Sequence, residues 1–478
     1  MESGAGIYAV ENLTVAEDLT IMARPPSQAQ QSAVHARTES PTIELTPEAQ
    51  AVLQLWEHTR QHVFLTGRAG TGKSTLLQHF RTTTRKRLVV LAPTGVAAVN
   101  VHGQTIHAFF GFGPGITPEK ARRRALRKPQ LYRNLQALII DEISMVRADL
   151  LDCIDQFLRV NGPRAGAPFG GVQLLFIGDL YQLPPVVLPE EETLFTTHYA
   201  SPYFFDAHVL RTTPYTVLHL TKVYRQQDAT FITLLDAVRT GSVDQQQLAT
   251  LNMRYRIDVA GHDRTQAVTL VTTNAMAERI NAHHLAQIRH QPFSFTGTIT
   301  GTFHRPQLPT EESLILKTGA RIIMLNNEPR GQWVNGTLGY VATITEDAGT
   351  VTIRVTLDNG YSGTISPYTW EAIRFVWDDI TQRIVSEVVG SFTQYPLRLA
   401  WAVTIHKAQG KTFDTVVIDV GRGTFAPGQA YVALSRCRSL EGLELHTPLK
   451  LEHVLVDPRA QAFLARAEAQ RQGSHTAQ

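Results

Sequence analysis

A glycine-rich segment carries the clearest chemistry in the sequence. Residues 67–74 read GRAGTGKS, which fits the pattern G-x-x-x-x-G-K-[ST] in full, between an apolar run and a helix-compatible one. Glycines let backbone N–H groups close around phosphate oxygens, and a following helix N-terminus adds its positive dipole end. The context predicts a loop that binds the phosphates of ATP, rather than a glycine-rich turn without a ligand. Its predicted nucleotide contacts are Gly67, Arg68, Ala69, Gly70, Thr71, Gly72, Lys73, Ser74 and Thr75.

Each polar group of this region has a chemical task that its type suggests. Lys73 would neutralise the terminal phosphates, and the hydroxyl of Ser74 would bind Mg²⁺. The run LIIDE ends in Asp141 and Glu142, at the carboxyl end of a buried strand, where wound sheets bind ligands. We expect Asp141 to hold the Mg²⁺ and Glu142 to orient and deprotonate the attacking water. Without the glycine-rich loop, this acidic pair would indicate only a solvated strand end.

Three side chains further along the chain could complete the site. Gln182 lies before two prolines that cannot continue a central strand, so it is left on a loop where it can sense the γ-phosphate. Arg225 and Arg436 are predicted to reach the developing charge from a second lobe, which would tie hydrolysis to lobe closure. Arg438 is close enough to compete with Arg436 for this role. A surface ion pair is the alternative for either arginine.

The elements that must position these groups are apolar runs separated by helix-compatible sequence. The first set comprises residues 63–67, 87–93, 137–142, 172–179 and 215–221, and the second comprises 267–274, 399–410, 414–421 and 430–436. They are apolar throughout, as strands buried on both faces should be. Residues from about 296 to 395 alternate instead and are rich in Gly, Thr and Val. The sequence therefore predicts an α/β fold of two wound parallel sheets, with a small antiparallel β-barrel inserted in the second.

Composition limits the class of protein without naming it. The chain has 478 residues, enough for several domains, and its net charge of only +3 permits nucleic-acid binding without indicating it. Its two cysteines lack the spacing of a zinc site or a disulfide, which favours a reducing compartment. The acidic N-terminus is a poor secretory signal. The sequence contains no run of about 18 apolar residues, so it predicts no membrane span. We expect a cytoplasmic protein, associated with the nucleoid if bacterial.

The motifs, in their order, resemble those of the Pif-type ("petite integration frequency") helicases in the RecD-like branch of superfamily one. The stretches that carry the resemblance are GRAGTGKST, APTGVAA, TIHAFFG, DEISMV, PFGGVQLLFIGDLYQLPPV, VYRQ, WVNGTLG, TIHKAQGKTFD and YVALSRCRSLEGL. They span roughly residues 43–447. The resemblance implies an ATP-dependent DNA helicase that moves 5′ to 3′ on single-stranded DNA, in replication, repair or recombination. ATP and Mg²⁺ are the implied cofactors, and single-stranded and forked DNA the implied partners of a monomer.

Composition and the resemblance together predict a domain organisation. Residues 1–42 would be a flexible tail, and 43–214 a RecA-like first lobe whose segment 103–135 is the wedge that splits the duplex. Residues 215–295 and 396–456 would form a RecA-like second lobe, interrupted by a Src-homology-like barrel over 296–395. Residues 457–478 would be a C-terminal tail, in which 458–472 could form a short amphipathic helix.

Several site residues rest on the resemblance alone. Gln50 resembles the glutamine that reads the adenine edge. Gln409 with Gly410 resembles the stretch that links the nucleotide site to the nucleic acid along which the protein moves. Nucleic-acid contacts are implied for Pro93, Thr94 and His107 of the first lobe, and for Thr273, Asn274, Thr404, His406 and Lys407 of the second. The sequence departs from the family at Arg147, where an acid is expected, and at Ala408, where Ser is commoner.

The predicted wedge has its own candidates for DNA contact. Residues 119–133 hold seven Lys or Arg against one Glu, and we favour phosphate contact over a merely solvated helix face. Phe109 is assigned to base stacking, for which Phe110 and Phe112 are further candidates, but all three could equally form a local core. Two rival functions remain: a nucleic-acid-stimulated ATPase that remodels bound proteins or translocates without separating strands, and a DNA-binding scaffold whose phosphate loop only switches conformation. The hydrolytic arginines argue against the scaffold.

Overall fold

The first lobe is built on one parallel sheet. The computed structural model describes residues 45–475 apart from positions 114, 127–128, 256–266, 304, 306–307, 348–349 and 422. The strands of this sheet are β1 (His62–Gly67), β2 (Leu88–Ala92), β3 (Gln104–Thr105), β4 (Ala137–Ile140), β5 (Gln173–Ile177) and β6 (Tyr215–Leu220). Their order is β3-β2-β4-β5-β1-β6, and all five neighbouring pairs are parallel. The predicted wound sheet is confirmed, and because β6 pairs with β1 it extends to Leu220 rather than ending at residue 214.

Helices cover both faces of this sheet. They are α1 (Pro47–His58), α2 (Lys73–Thr83), α3 (Gly95–Asn100), α4 (Ile106–Phe110), α5 (Pro118–Arg122), α6 (Gln130–Arg133), α7 (Ala148–Asn161) and α8 (Glu192–His198). The side chain of Thr46 accepts from the N–H of Ala49 at 3.3 Å and Pro47 opens α1, so this helix begins as the sequence predicts. The predicted N-terminal tail, residues 1–42, lies outside the described residues.

The second lobe begins with two helices and a strand. These are α9 (Ala229–Thr240), α10 (Gln245–Asn252) and β7 (Val268–Val271), followed by α11 (Asn274–Gln287). Apolar residues of α9 pack into the same core as β7, which assigns this helix to the second lobe. The chain therefore crosses between the lobes over residues 221–228.

Antiparallel strands then interrupt the second lobe, as predicted. They are β8 (Phe293–Thr296), β9 (Thr298–Gly301), β10 (Ser313–Leu316), β11 (Arg321–Met324), β12 (Leu338–Asp347), β13 (Thr350–Leu357), β14 (Ser362–Ile365), β15 (Tyr368–Asp378), β16 (Arg383–Gln394) and β17 (Leu397–Leu399). Five of them form the sheet β14-β13-β12-β11-β17, which shares an apolar core with the pair β10-β8. The remaining three, β15-β16-β9, form a separate sheet.

The second lobe resumes with β18 (Ala402–Thr404), β19 (Val416–Asp419), α12 (Gln429–Leu434) and β20 (Leu443–Leu445). Its sheet has the order β18-β7-β19-β20, with all neighbours parallel. Residues 430–436, predicted as a strand, lie largely in α12, and β20 supplies the fourth strand. A short apolar run buried on every side looks the same in a strand and in a buried helix, because neither has a polar face to mark its period.

The last helix that the structure describes is α13 (Pro458–His475), which falls in the predicted C-terminal tail. Ala460 and Leu464 of this helix are buried in the core of the first lobe. The ring of Phe463 stacks on that of Phe205, with centroids 4.3 Å apart. The segment is therefore a packed element of the first lobe. Among the helices that the structure describes, none combines the length and the apolarity that a membrane crossing requires.

Candidate nucleotide and nucleic-acid site

The phosphate loop connects β1 to α2, as its sequence context predicts. Gly70 and Gly72 have φ angles of +79° and +83°, a conformation that side-chain-bearing residues rarely adopt. A Cβ at Gly70 would also collide with the Cβ of Arg225. The side chain of Lys73 donates to the carbonyl oxygens of Gly67 and Arg68, at 2.7 and 2.9 Å. The lysine is thus held inside the loop where phosphate oxygens would compete for it.

The acidic pair follows β4 at the same edge of the sheet. Burial raises the pKa of Asp141 to about 6. Burial, and then the neighbouring Asp141, raise the pKa of Glu142 to about 7, while Lys73 and Arg436 oppose the rise. Glu142 also has a φ of +50°, an uncommon backbone conformation for a residue other than glycine. A carboxyl group whose pKa lies near neutral pH is suited to accept a proton.

Two glutamines connect the acidic pair to the second lobe. Gln409, which follows β18, donates from its amide Nε2 to Glu142 Oε2 at 3.0 Å and to Gln182 Oε1 at 3.3 Å. Gln182 lies on the loop after β5 and donates from its own amide to Asp179 at 3.3 Å. The structure therefore brings together Glu142, Gln182 and Gln409, which the sequence assigned to the site for separate reasons. Gly410, predicted beside them, is exposed and has a positive φ.

Arg225 lies against the phosphate loop at Gly70, and Arg436 lies close to Arg225 and to Glu142. Arg225 is in the crossover between the lobes, rather than within the second lobe, and donates to the carbonyl of Ser435 at 3.1 Å. Arg436 is 1% exposed and donates to Val432 O at 2.8 Å and Lys411 O at 3.3 Å. Burial, and then the nearby Arg225, lower the pKa of Arg436 to about 9.

Arg438 has a different environment from its neighbour. It pairs with Asp414 at 2.7 Å, and both side chains are more than half exposed. The alternative of a surface ion pair thus describes Arg438, whereas Arg436 is buried near Glu142. This difference favours Arg436 over Arg438 for the predicted role.

Two residues of the second lobe that sequence reasoning missed contact the first lobe, one at the phosphate loop and the other at Asp179. The hydroxyl of Tyr431, on α12, accepts from the N–H of Ala69 at 2.8 Å. Arg239, on α9, forms a buried ion pair with Asp179 at 3.0 Å. Tyr431 stands in the stretch YVALSR, so its place in a recognised motif was a usable signal. Arg239 lies in no motif of the set, and nothing in its sequence surroundings marked it.

An exposed aromatic side chain lies beside the loop. Tyr224 is 50% exposed, its N–H donates to Gly70 O at 2.8 Å, and a Cβ at Gly72 would lie 3.8 Å from its ring. Gln50, predicted to read adenine, is exposed on the first turn of α1. Ser74 and Thr75 open α2 and are also exposed, so their hydroxyls are accessible beside the loop.

Three of the predicted nucleic-acid contacts share a local hydrogen bond. Thr94, Thr273 and Thr404 each come just after or at the end of a parallel strand, and each hydroxyl accepts from a backbone N–H three residues on, at 3.3 Å. The caps at Thr94 and Thr273 leave the other N–H groups in the first turns of α3 and α11 directed outward, where they can meet a phosphate, whereas Thr404 precedes a turn. Of the remaining predicted contacts, Asn274, His107 and Lys407 are exposed, and Pro93 and His406 are half-buried.

Phe109 corrects the stacking prediction. It is 5% exposed and packs against the rings of Phe110 and Tyr132, with centroids 4.8 and 5.2 Å apart. Phe110 and Phe112 are buried in the same cluster. The alternative of a local core is thus what the structure contains. By contrast, α5 buries Ala121 and leaves Lys120 and Arg122 exposed, so this part of the basic run is open to solvent.

The two departures from the family pattern have structural explanations. Arg147 pairs with Asp149 at 2.7 Å and with Glu191 at 2.5 Å, and so joins the start of α7 to the segment before α8. Ala408 is fully buried in the apolar core of the second lobe. A serine there would need a partner for its hydroxyl, which the alanine does not.

Two wound parallel sheets that meet at one phosphate loop define a RecA-like P-loop protein with two lobes. The PIF1-like helicase family model matches residues 45–249. The chain belongs to this family, since it is 34% identical over 438 residues to the ATP-dependent DNA helicase Pif1 of Bdellovibrio bacteriovorus, covering 89% of this chain and 93% of that one. The human ATP-dependent DNA helicase PIF1 is 38% identical over 424 residues, and the chain spans 61% of its length. Among solved structures, Pif1 from Bacteroides sp in complex with ADP-AlF4 has a TM-score of 0.82 at 36% identity, covering 90% of this chain and 98% of that one.

Proposed function

We propose that this chain is an ATP-dependent DNA helicase, which hydrolyses ATP between its lobes, translocates on single-stranded DNA and separates duplexes. The observation that carries the proposal is the hydrogen bond from Gln409 of the second lobe to Glu142 of the first. Because the predicted catalytic base touches the opposite lobe, movement of one lobe changes the surroundings of the base. Such a link is what a motor needs and a simple nucleotide-binding scaffold does not.

In this proposal hydrolysis uses groups from both sides of the cleft. Lys73 leaves its loop carbonyls for the β- and γ-phosphates of ATP, and the loop N–H groups bind the remaining oxygens. Glu142 takes a proton from the attacking water, and Gln182 contacts the γ-phosphate. Arg225 and Arg436 neutralise charge that develops on the transferred phosphoryl group, a role that such arginines fill in other P-loop enzymes.

The donor set beside the loop fits Mg²⁺. The hydroxyl of Ser74 and the carboxylate of Asp141 are oxygen ligands, which this ion prefers, and substrate phosphates and waters ordinarily complete its shell. When bound, Mg²⁺ neutralises charge on the β- and γ-phosphates. Burial raises the pKa of Asp141, and a bound cation would oppose that rise because it favours the ionised form.

The single-stranded DNA would pass over the ends of β-strands in both lobes, where the threonine caps lie. Thr94 belongs to the first lobe, and Thr273 and Thr404 belong to the second, so closure would change the distance between the two sets of contacts. If each lobe grips in turn, closure becomes a step along the strand, driven by the preference of ATP for the closed state. We place the wedge at residues 103–135, where Lys120 and Arg122 offer charge to phosphates.

Single-stranded and forked DNA are the proposed substrates, with 5′ to 3′ movement, in replication, repair or recombination. Their support comes from relatives: one solved structure is Bacteroides Pif1 bound to single-stranded DNA, at 37% identity and a TM-score of 0.65. Another, with a TM-score of 0.64, concerns unwinding at forked duplex DNA by two coordinating Pif1 helicases. We propose one copy as the translocating unit, with a second copy at forks as the alternative.

Strand displacement on tailed duplexes tests the proposal. Duplexes with a 5′ tail, a 3′ tail or both should be unwound only when ATP, Mg²⁺ and a 5′ tail are present. The Lys73→Ala protein is the matched control and should neither hydrolyse ATP nor unwind. Movement along single strands without loss of duplex would instead favour the rival translocase, and unwinding by Lys73→Ala would contradict the assigned site.

A further inference from the structure

Arg239 is a buried cation of the second lobe to which the proposed hydrolysis gives no task. It lies one residue before the end of α9, and its side chain is 10% exposed. Its guanidinium Nη2 donates to Asp179 Oδ1 at 3.0 Å. The guanidinium also lies over the ring of Tyr181, 4.4 Å from the ring centroid. Tyr181 and Asp179 both belong to the first lobe, so Arg239 makes both contacts across the cleft.

Asp179 connects this contact to the predicted γ-phosphate sensor. Its other carboxylate oxygen, Oδ2, accepts from Gln182 Nε2 at 3.3 Å, and Oδ1 also accepts from the N–H of Tyr181 at 3.2 Å. Burial alone would raise the pKa of Asp179, but Arg239 and Lys73 hold it below its ordinary value. The carboxylate is therefore charged, and acts only as an acceptor for the amide of Gln182.

Both ends of the Gln182 amide are consequently fixed. Its nitrogen donates to Asp179, and its oxygen accepts from Gln409, which in turn donates to Glu142. An amide that is held at both ends cannot turn to exchange its donor and its acceptor. The backbone of this loop is also closely packed, because a Cβ at Gly428 of the second lobe would collide with the carbonyl oxygens of Tyr181 and Gln182.

We infer that Arg239 is a positioning residue for ATP hydrolysis, which acts through Asp179 to set the orientation of Gln182 when the lobes are closed. It does so without touching nucleotide, and the inference rests on the proposed function of Gln182. Opening of the cleft would separate Arg239 from Asp179 and leave the buried carboxylate without its cation. The second lobe would thereby control the sensor of the first, in addition to supplying Arg436 to the phosphate.

Substitutions at both ends of the pair test this inference. For Arg239→Gln and for Asp179→Asn, we expect kcat of DNA-stimulated ATP hydrolysis to fall about tenfold or more, with KM for ATP changed less than about threefold. Arg239→Lys should restore part of kcat, because it keeps the charge. The double variant should be no slower than the slower single variant, because both changes break one chain of contacts. Arg159→Gln, which breaks the distant pair with Asp155, is the matched control and should leave kcat unchanged.

A measurement without turnover separates this inference from the proposed function. Thermal unfolding is followed with ADP alone and with ADP plus aluminium fluoride, which mimics the transferred phosphoryl group. Arg239→Gln should keep the Tm rise caused by ADP and lose most of the additional rise caused by the fluoride complex. A normal additional rise, a kcat within about twofold of wild type, or a double variant whose loss is the product of both single losses would overturn the inference. Wild-type protein without DNA-stimulated hydrolysis would overturn the proposed function instead, whatever the unfolding data give.

Discussion

The amide of Gln409 lies 3.0 Å from the carboxylate of Glu142, and the two residues belong to opposite lobes. The same amide reaches Gln182, so one side chain of the second lobe contacts both the predicted base and the predicted γ-phosphate sensor. Charge and orientation at the hydrolytic centre thus depend on lobe position. We propose that this contact couples the nucleotide site to the bound nucleic acid.

Replacement of Gln409 by Ala should uncouple hydrolysis from DNA. We expect the DNA-stimulated kcat to fall about 10- to 100-fold, as loss of a supporting hydrogen bond often does, while ATP affinity changes little. Steady-state ATPase rates with and without single-stranded DNA measure the effect. Asn281→Ala, which removes an amide bonded to Ala402 in the same lobe, is a control for general damage. Equal stimulation of wild type and Gln409→Ala would exclude this coupling route.

Hydrolysis should depend on pH through Glu142, whose pKa is raised to about 7. A base must be deprotonated to act, so kcat/KM should rise with pH up to about 7 and level off above it. Below that point it should fall about tenfold per pH unit, because kcat/KM reports ionisation of the free enzyme. Rates measured between pH 5.5 and 9 would give the profile. Arg436→Gln should move the midpoint to higher pH, since Arg436 lowers the pKa of Glu142; an unmoved midpoint would assign the titration elsewhere.

Much of this arrangement could be predicted from the sequence, for reasons that differ between residues. Lys73, Asp141 and Glu142 each follow a continuous apolar run, and parallel strands deliver such ends to one edge of a sheet. Gln409 and Arg436 needed family motifs, because no local pattern shows that they cross a cleft. Neither the local apolar pattern nor a family motif identifies Arg239, because a single arginine near the end of a helix looks like any solvated cation. Tertiary packing alone identifies its partner.

Tyr224 should act as a platform for the base of ATP, because its half-exposed ring lies against the phosphate loop beside Gly72. Stacking of a base on an aromatic ring contributes about 1–3 kcal/mol. Tyr224→Ala should therefore raise KM for ATP about tenfold with a smaller effect on kcat, and Tyr224→Phe should behave like wild type. Kinetics with ATP and with inorganic triphosphate distinguish the cause. A matching loss with triphosphate, which has no base, would mean that the ring supports the loop instead.

His107 and Phe109 offer a matched pair of variants on one short helix, α4. Phe109 is buried among aromatic rings, so Phe109→Ala should destabilise the protein by about 3–5 kcal/mol in denaturant unfolding. His107 is exposed, so His107→Ala should leave stability unchanged and weaken binding of labelled single-stranded DNA if the family role holds. If the Phe109→Ala protein were stable but bound single-stranded DNA more weakly, the result would support base stacking by Phe109 instead.

The C-terminal helix should contribute to the stability of the first lobe, although it follows the second lobe in sequence. Leu464 is 3% exposed in the core of the first lobe, and Gln461 donates to the carbonyl of Thr240 at the end of α9, at 2.6 Å. The helix α13 therefore contacts both lobes, since it packs into the core of the first lobe and bonds to α9 of the second. Leu464→Ala should lower the free energy of unfolding by about 2–5 kcal/mol, as other buried leucines do. Gln461→Ala removes only the bond to Thr240 and should cost about 1 kcal/mol in the same denaturant titration. If Leu464→Ala unfolds at the wild-type denaturant midpoint, α13 does not stabilise the first lobe.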